Sequence, residues 1–383
     1  MPLVRDIAKE RFRSAALLPD SALSFAESYD FQELASFIPS EVLEVSQGSG
    51  LPLGLKDVRA GEAVLEIGCG AGINCFEAAR QVGAEGKVVG VELIDDLVSI
   101  ARRNGPQVTN HLGLPASAVE FKKGVAEDLP LEHEQFDSVI ANYQLGACQD
   151  KSAIFEEIFR VLRPGGRFTV SDIVSDVSVP RYIKTNEEQW GYCLAGALGV
   201  EEYLKIIRKA GFFGIEQLKF NVWKQIDGIH FYSVTIRGYK LKKPDIQKSP
   251  ASSYAVFRGP FAKVKDEYGN TYQRGQCKKI SKEIFEILNL PGYRPYFILS
   301  AEAVDAVAIE SQLITYKSEQ ERETWSGDYA VLASLFLMGE DDEHHTFYAG
   351  EPLEISEKTK DILSGEYYAK FFTLLNRVSP KHD

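Results

Sequence analysis

The spacing of apolar residues changes repeatedly between Gly61 and Tyr239. Short continuous apolar runs alternate with stretches whose apolar residues recur every three or four positions. The runs read as strands buried on both faces, and the spaced stretches as amphipathic helices. Strands are expected at 63–67, 87–93, 119–122, 136–142 and 167–172, the last after a sharp turn at Pro164-Gly165-Gly166. Helices are expected at 73–81, 95–103, 151–162 and 200–210. In the third of these, Ile154, Phe155, Ile158 and Leu162 share a face. A late pair of strands, 215–223 and 230–239, reads as a hairpin at the sheet edge. Strands that alternate with helices imply a parallel sheet with right-handed crossovers. The expected fold is therefore α/β, a doubly wound, Rossmann-like, mostly parallel sheet with an antiparallel edge hairpin.

The flanks read differently. Residues 1–60 mix apolar and polar positions, with Leu23, Phe25, Ala26, Tyr29, Phe31, Leu34 and Phe37 near helical spacing. They are expected to form an N-terminal helical cap on the core, or a lid over a pocket. The central domain would run over 61–242. Residues 241–253, rich in Lys, Pro and Ser, read as a linker. Beyond it, residues 254–299 match 329–374 at 14 of 46 positions without a gap. Unrelated sequences match at roughly one position in sixteen, so a smaller α+β C-terminal domain made of two repeats is expected, at 250–305 and 325–380.

Composition narrows the function classes. The chain has 383 residues, 44% of them hydrophobic, enough for two or three domains with real cores. Its net charge of −12 argues against a nucleic-acid or anionic-membrane partner, since both require a basic face. No stretch has the length of a membrane span and no apolar leader is visible. Five scattered cysteines suit reduced thiols and a cytoplasmic location.

The chemistry centres on Gly68-Cys69-Gly70-Ala71-Gly72, between the first strand and its helix. Such a turn lets a ligand approach backbone amides and the positive end of a helix. Glu92 lies 24 residues after Gly68, the place of a carboxylate that receives ribose hydroxyls. A dinucleotide fingerprint needs glycine where Ile73 stands, which favours a ligand without a pyrophosphate. Glu66, just before the loop, could hold the amino group of a methionine moiety.

The segments VLEIGCGAG, VVGVEL, GVAEDLP (124–130), FDSVIANYQLG (136–146) and VLRPGGRFTVSDI (161–173) resemble successive motifs of class I S-adenosylmethionine (SAM)-dependent methyltransferases. The resemblance implies SAM as cofactor, wrapped by Gly68, Gly70 and Gly72. It places Glu92 on the ribose, Leu93 against the adenine, Ala126 and Glu127 at the adenine edge, and Asn142 near the sulfonium. Within that superfamily the chain is most similar to the arsenite methyltransferases, through IPSEVL (38–43), GSGLP (48–52), GINC (72–75) and WGYCLAGAL (190–198) followed by EEYL (201–204). The resemblance implies a small-molecule acceptor. The family's three arsenic-binding thiolates are matched only by Cys193; Ser49 stands at the second position and DIQKSPASS (245–253) holds no third. Acceptor-side candidates are Cys193, Tyr143 and Trp190, with Gln144, Asp172 and Tyr192 as further groups. Cys148, after the fourth strand, also falls on that side. No metal site is expected. Two other readings remain: a methyltransferase for an organic O-, N-, C- or S-nucleophile, or a non-catalytic SAM-binding protein that forms a homo-oligomer through the C-terminal repeats.

Overall fold

The computed structural model describes residues 31–45, 53–241 apart from positions 144, 149, 187, 188 and 190–192, most of 253–313, and five strands between 329 and 376. Trp190, Tyr192, Gln144, Ser49 and the linker segment 242–252 lie outside the described residues, as does the N-terminal stretch 1–30.

Two short helices, α1 (Phe31–Ala35) and α2 (Ser40–Val45), precede the sheet. The alternation then begins: β1 (Ala63–Ile67), α3 (Ile73–Val82), β2 (Lys87–Glu92), α4 (Asp95–His111), β3 (Val119–Lys123), β4 (Phe136–Asn142), α5 (Lys151–Val161), β5 (Leu162–Ser175), α6 (Arg181–Lys184), β6 (Leu198–Gly199), α7 (Val200–Lys209), β7 (Phe213–Ile226) and β8 (Ile229–Tyr239). The strand order is β3-β2-β1-β4-β5-β8-β7, with β6 paired beside the end of β5. β1 pairs in parallel with both β2 and β4, so the order reverses around the strand that feeds the glycine loop. Only β8 runs antiparallel to β5, and β7 antiparallel to β8.

Alternating residues feed two layers. Val64 and Ile140 join a core built with α3 and α4, whereas Leu65, Ile67, Val139 and Ala141 join one built with α5 and α7. The hairpin turns at Asp227 (φ 50°) and Gly228 (φ 81°), the doubly left-handed geometry that matches strand twist.

Two elements depart from expectation. Pro164-Gly165-Gly166 does not turn the chain into a new strand. It lies within β5 as a wide bulge, since Phe136 pairs with Leu162 and the next partner pair is Ser138 with Arg167. The Gly165 amide donates to the Lys240 carbonyl at 2.7 Å and the Lys240 amide to the Gly166 carbonyl at 2.9 Å, so β8 stitches the bulge in place. Helix α4 continues eight residues past Arg103, through Pro106, because Asn104, Gly105, Val108 and Thr109 are buried on its inner face.

The C-terminal region holds β9 (Ser253–Phe257), β10 (Lys263–Lys265), β11 (Thr271–Gln273), β12 (Cys277–Ile280), α8 (Lys282–Leu288) and β13 (Phe297–Ser300), then β14 (Tyr329–Ala333), β15 (Met338–Glu340), β16 (Thr346–Tyr348), β17 (Pro352–Ile355) and β18 (Phe372–Asn376). Sheets β12-β9-β13 and β17-β14-β18 share one order, and β11-β10-β15-β16 joins the two halves. In the joining pair Lys263 meets Glu340, Val264 meets Gly339 and Lys265 meets Met338. Ser281 caps α8 by accepting from the Ile284 amide at 3.2 Å. Among the described residues, no helix is long and apolar enough to cross a membrane.

Candidate cofactor and acceptor site

The glycine loop leaves β1 at the carboxyl edge of the sheet, where such folds bind ligands. Gly68, Gly70 and Gly72 have φ of 72°, 55° and 94°. At Gly72 a Cβ would stand 2.7 Å from the Phe121 ring; at Gly70 it would enter open space. The loop is therefore packed on one side and open on the other. The Gly68 and Cys69 amides donate to the Val91 carbonyl at 2.8 and 3.2 Å, which ties the loop to the end of β2.

Glu92 ends β2 and is 6% exposed. Its Oε2 accepts from the Gly70 amide at 2.9 Å, and its Oε1 from the Leu93 and Ile94 amides at 2.8 and 2.9 Å. Burial raises its carboxyl against the opposing effect of those amides. A carboxylate offers about four acceptor directions, so three amides leave room for a ribose hydroxyl. The Gly124 amide donates to the Glu92 carbonyl at 3.0 Å and begins a turn closed between Val125 and Asp128. Ala126 and Glu127 lie in that turn.

Glu66 is buried under the loop. It accepts from Asn74 Nδ2 at 2.7 Å and from the Cys75 thiol at 3.1 Å. Burial pushes its carboxyl up to about 7, the two hydrogen bonds opposing. The Asn74 contact was not anticipated, although an amide at the second position of the helix after the loop is placed for it. Cys69 and Cys75 both lie against Gly90, where a Cβ would stand 2.7 and 2.9 Å from their sulfurs.

Asn142, the last residue of β4, is 3% exposed. Tyr143 follows with φ 61°, its amide still on the Ser171 carbonyl at 2.8 Å and its hydroxyl bonded to Ser233 Oγ. Cys193 also has φ 61°, and its thiol donates to the Tyr143 carbonyl at 3.5 Å. Non-glycine residues held in this region mark backbone under tertiary constraint, and such residues gather at functional sites. Both side chains belong to one apolar cluster with Ile173, Leu194 and Phe231. Burial pushes the Cys193 thiol up to about 12.

Asp172 is unavailable as an acceptor-side base. Its carboxylate is fully buried, bonded to Lys151 Nζ at 2.8 Å and to the Ile173 amide at 2.8 Å. Lys151 Nζ also donates to the Leu145 carbonyl at 2.6 Å, anchoring the loop after β4. Lys151 was missed in the sequence, yet it stands on the apolar face of α5, one turn before Ile154 and Phe155. Among the described residues no His, Cys, Asp or Glu cluster forms a metal site.

A strand order of 3-2-1-4-5 followed by an antiparallel hairpin, with a glycine loop, a buried carboxylate and an asparagine at the ends of β1, β2 and β4, defines a Rossmann-like methyltransferase fold. Residues 59–211 match the family model described as "Methyltransferase domain", and residues 248–326 match "Domain of unknown function (DUF8838)". Residues 59–211 thus form a methyltransferase domain.

That domain is close to those of arsenite methyltransferases. The chain is 34% identical over 188 residues to the arsenite methyltransferase of Halobacterium salinarum, covering 49% of this chain and 46% of the relative. It is 27% identical over 253 residues to that of Mus musculus, covering 62% and 66%. The alignments therefore span about half to two thirds of those relatives' lengths. The fold matches that of an arsenic(III) S-adenosylmethionine methyltransferase from Chlamydomonas reinhardtii with a TM-score of 0.51 at 24% identity, covering 92% and 97%.

Proposed function

We propose that this chain is an enzyme that transfers the methyl group of SAM to a small-molecule acceptor, with trivalent arsenic ahead of organic nucleophiles. The observation that carries the reading is Cys193. Its thiol is held against the Tyr143 carbonyl, one residue beyond Asn142, beside the edge where the cofactor loop opens. The relatives' names point to arsenite, and a thiol suits that thiophilic centre.

Glu92 would receive the ribose hydroxyls, with Leu93, Ala126 and Glu127 around the adenine. Glu66, through Asn74 or directly, would face the methionine ammonium, and Gly68, Gly70 and Gly72 would follow the methionine backbone. Asn142 would lie near the sulfonium. The bound cofactor supplies an electrophilic methyl group, so the residues' part is to align the acceptor and exclude water. Tyr143 contributes shape: its carbonyl receives the Cys193 thiol and its hydroxyl is already engaged by Ser233. Trp190 stays a candidate wall of the acceptor space. The reading includes a reducing, cytoplasmic setting, with no nucleic-acid or membrane partner.

The second reading, an organic nucleophile as acceptor, is favoured by Ser49 and by the missing cysteine in 245–253. Calorimetry with S-adenosylhomocysteine and with NAD, followed by methyl-transfer assays on arsenite, small thiols and phenols, tests both. Binding of the homocysteine product and methylation of arsenite that is lost in Cys193→Ser are expected. Arsenite methylation undiminished in that variant removes the thiol role, and transfer only to phenols establishes the second reading. Binding of NAD alone overturns both.

A further inference from the structure

Cys148 takes no part in the site as described, yet the turn that carries it is packed on Cys193. Residues Leu145–Ala147 form a single tight turn two positions after Tyr143. Gly146 lies against Cys193: a Cβ there would stand 2.4 Å from the Cys193 Cβ and 3.0 Å from its sulfur. Only glycine allows that approach. Cys148 follows two residues on, its amide returning to the Leu145 carbonyl at 3.0 Å. Two peptide steps keep its Cα within about 7 Å of Gly146. The same turn is anchored by Lys151, whose Nζ holds the Leu145 carbonyl and Asp172 at 2.6 and 2.8 Å.

We infer that Cys148 and Cys193 form a two-thiol site for a trivalent arsenical, Cys148 supplying a ligand that the family pattern does not place there. The inference rests on the acceptor reading above.

The electrostatics select this ligand over a divalent cation. Both thiols feel Lys151 and Asp172, and Cys148 feels Cys193 as well as Glu127. Burial pushes each up to about 12, so they meet a ligand as neutral thiols. Zinc-type binding needs thiolates and would leave charge in a poorly solvated place. A trivalent arsenical instead condenses with neutral thiols. For R–As(OH)2, two As–O bonds break and two As–S bonds form. Each thiol proton leaves with a hydroxide as water, and no atom changes oxidation state. The product is uncharged. Cys148 is half-buried while Cys193 is 2% exposed, so the ligand would be captured at Cys148 and delivered inward.

Phenylarsine oxide titrated into the full chain, with intact-mass readout and a glutathione challenge, tests this. The wild-type protein is expected to keep one phenylarsenic group, and its release to need about 100-fold more glutathione than in Cys148→Ser or Cys193→Ser, since two tethered thiols outcompete free monothiols. Cys277→Ser, an exposed thiol in the C-terminal region, is expected to behave as wild type. The inference is overturned if Cys148→Ser retains full resistance, if resistance is lost only in Cys69→Ser, or if the wild type shows none. Calorimetry with S-adenosylhomocysteine on each variant separates causes. Retained binding with no resistant adduct sinks the two-thiol site alone, whereas no binding by the wild type sinks the methyltransferase reading beneath it. Cys148→Ala replaces Cys148→Ser where the serine variant fails to bind S-adenosylhomocysteine.

Discussion

The burial of Glu66 should make binding of S-adenosylhomocysteine depend on pH. Burial holds its carboxyl at about 7, so it is neutral in mildly acidic solution. A bound methionine ammonium would favour the ionised form, and binding would therefore release a proton. If only the ionised form accepts the ammonium, affinity falls by the factor 1 + 10^(7 − pH). That factor is about 33 at pH 5.5 and about 2 at pH 7, a rise of about 16-fold, or ~1.6 kcal/mol. The ligand's amino group stays largely protonated over this window, with a pKa near ~7.7–8.0 or above. Isothermal calorimetry with S-adenosylhomocysteine, in buffers of different ionisation enthalpy, reads both the affinity and the protons released. Glu66→Gln should flatten the profile and abolish most of the proton release, which separates Glu66 from the raised carboxyl of Glu92. A profile flat between pH 5.5 and 7 in the wild type refutes the argument, as does an unchanged slope in the glutamine variant. The sign for folding is the reverse. A carboxyl raised in the native state contributes stability fully present below its unfolded value and lost as pH rises through about 7.

Gly72→Ala must place a methyl group against the Phe121 ring at φ 94°, and thermal melts should show a loss of about 1–3 kcal/mol, with weakened S-adenosylhomocysteine binding. Lys151→Met leaves Asp172 buried without its cation and should cost roughly 3–5 kcal/mol in denaturant titrations; Lys151→Met with Asp172→Leu should recover most of it, and failure to recover would show that the lysine acts through the Leu145 carbonyl instead. Glu92→Gln turns an amide donor toward a carboxylate's three amide partners and should weaken S-adenosylhomocysteine by about tenfold or more, measured by calorimetry.

The parallel core was legible because its strands are buried on both faces, which leaves uninterrupted apolar runs such as Ala63–Ile67 and Phe136–Asn142. The misread places share one cause: local chain-breakers overruled by partners distant in sequence. Pro164-Gly165-Gly166 looks like a turn until Lys240 bonds across it, and Gly105-Pro106 looks like a helix end until Val108 is seen in the core. The meeting of the glycine loop and Glu92 at one sheet edge was readable, because a glycine-rich strand end and a carboxylate at the next strand's end show by type and spacing. The backbone geometry around Tyr143 and Cys193 was not. The left-handed backbone at Tyr143 and Cys193 is imposed by packing, and no residue type announces it. Lys151 could have been found, as a cation on an otherwise apolar helix face.

The joining strands β10 and β15 have a register that reads the same from either end, since Lys263–Glu340 mirrors Lys265–Met338 about Val264–Gly339. Such a ladder has a local two-fold axis through the Val264–Gly339 pair, the relation that isologous contacts share. Two separate chains could form it only at the cost of a bimolecular encounter. Here the intervening residues make the encounter unimolecular, at an effective concentration on the order of millimolar. β10 and β15 are thereby paired within one polypeptide rather than between two. Cutting the tether should convert an internal contact into one that depends on protein concentration.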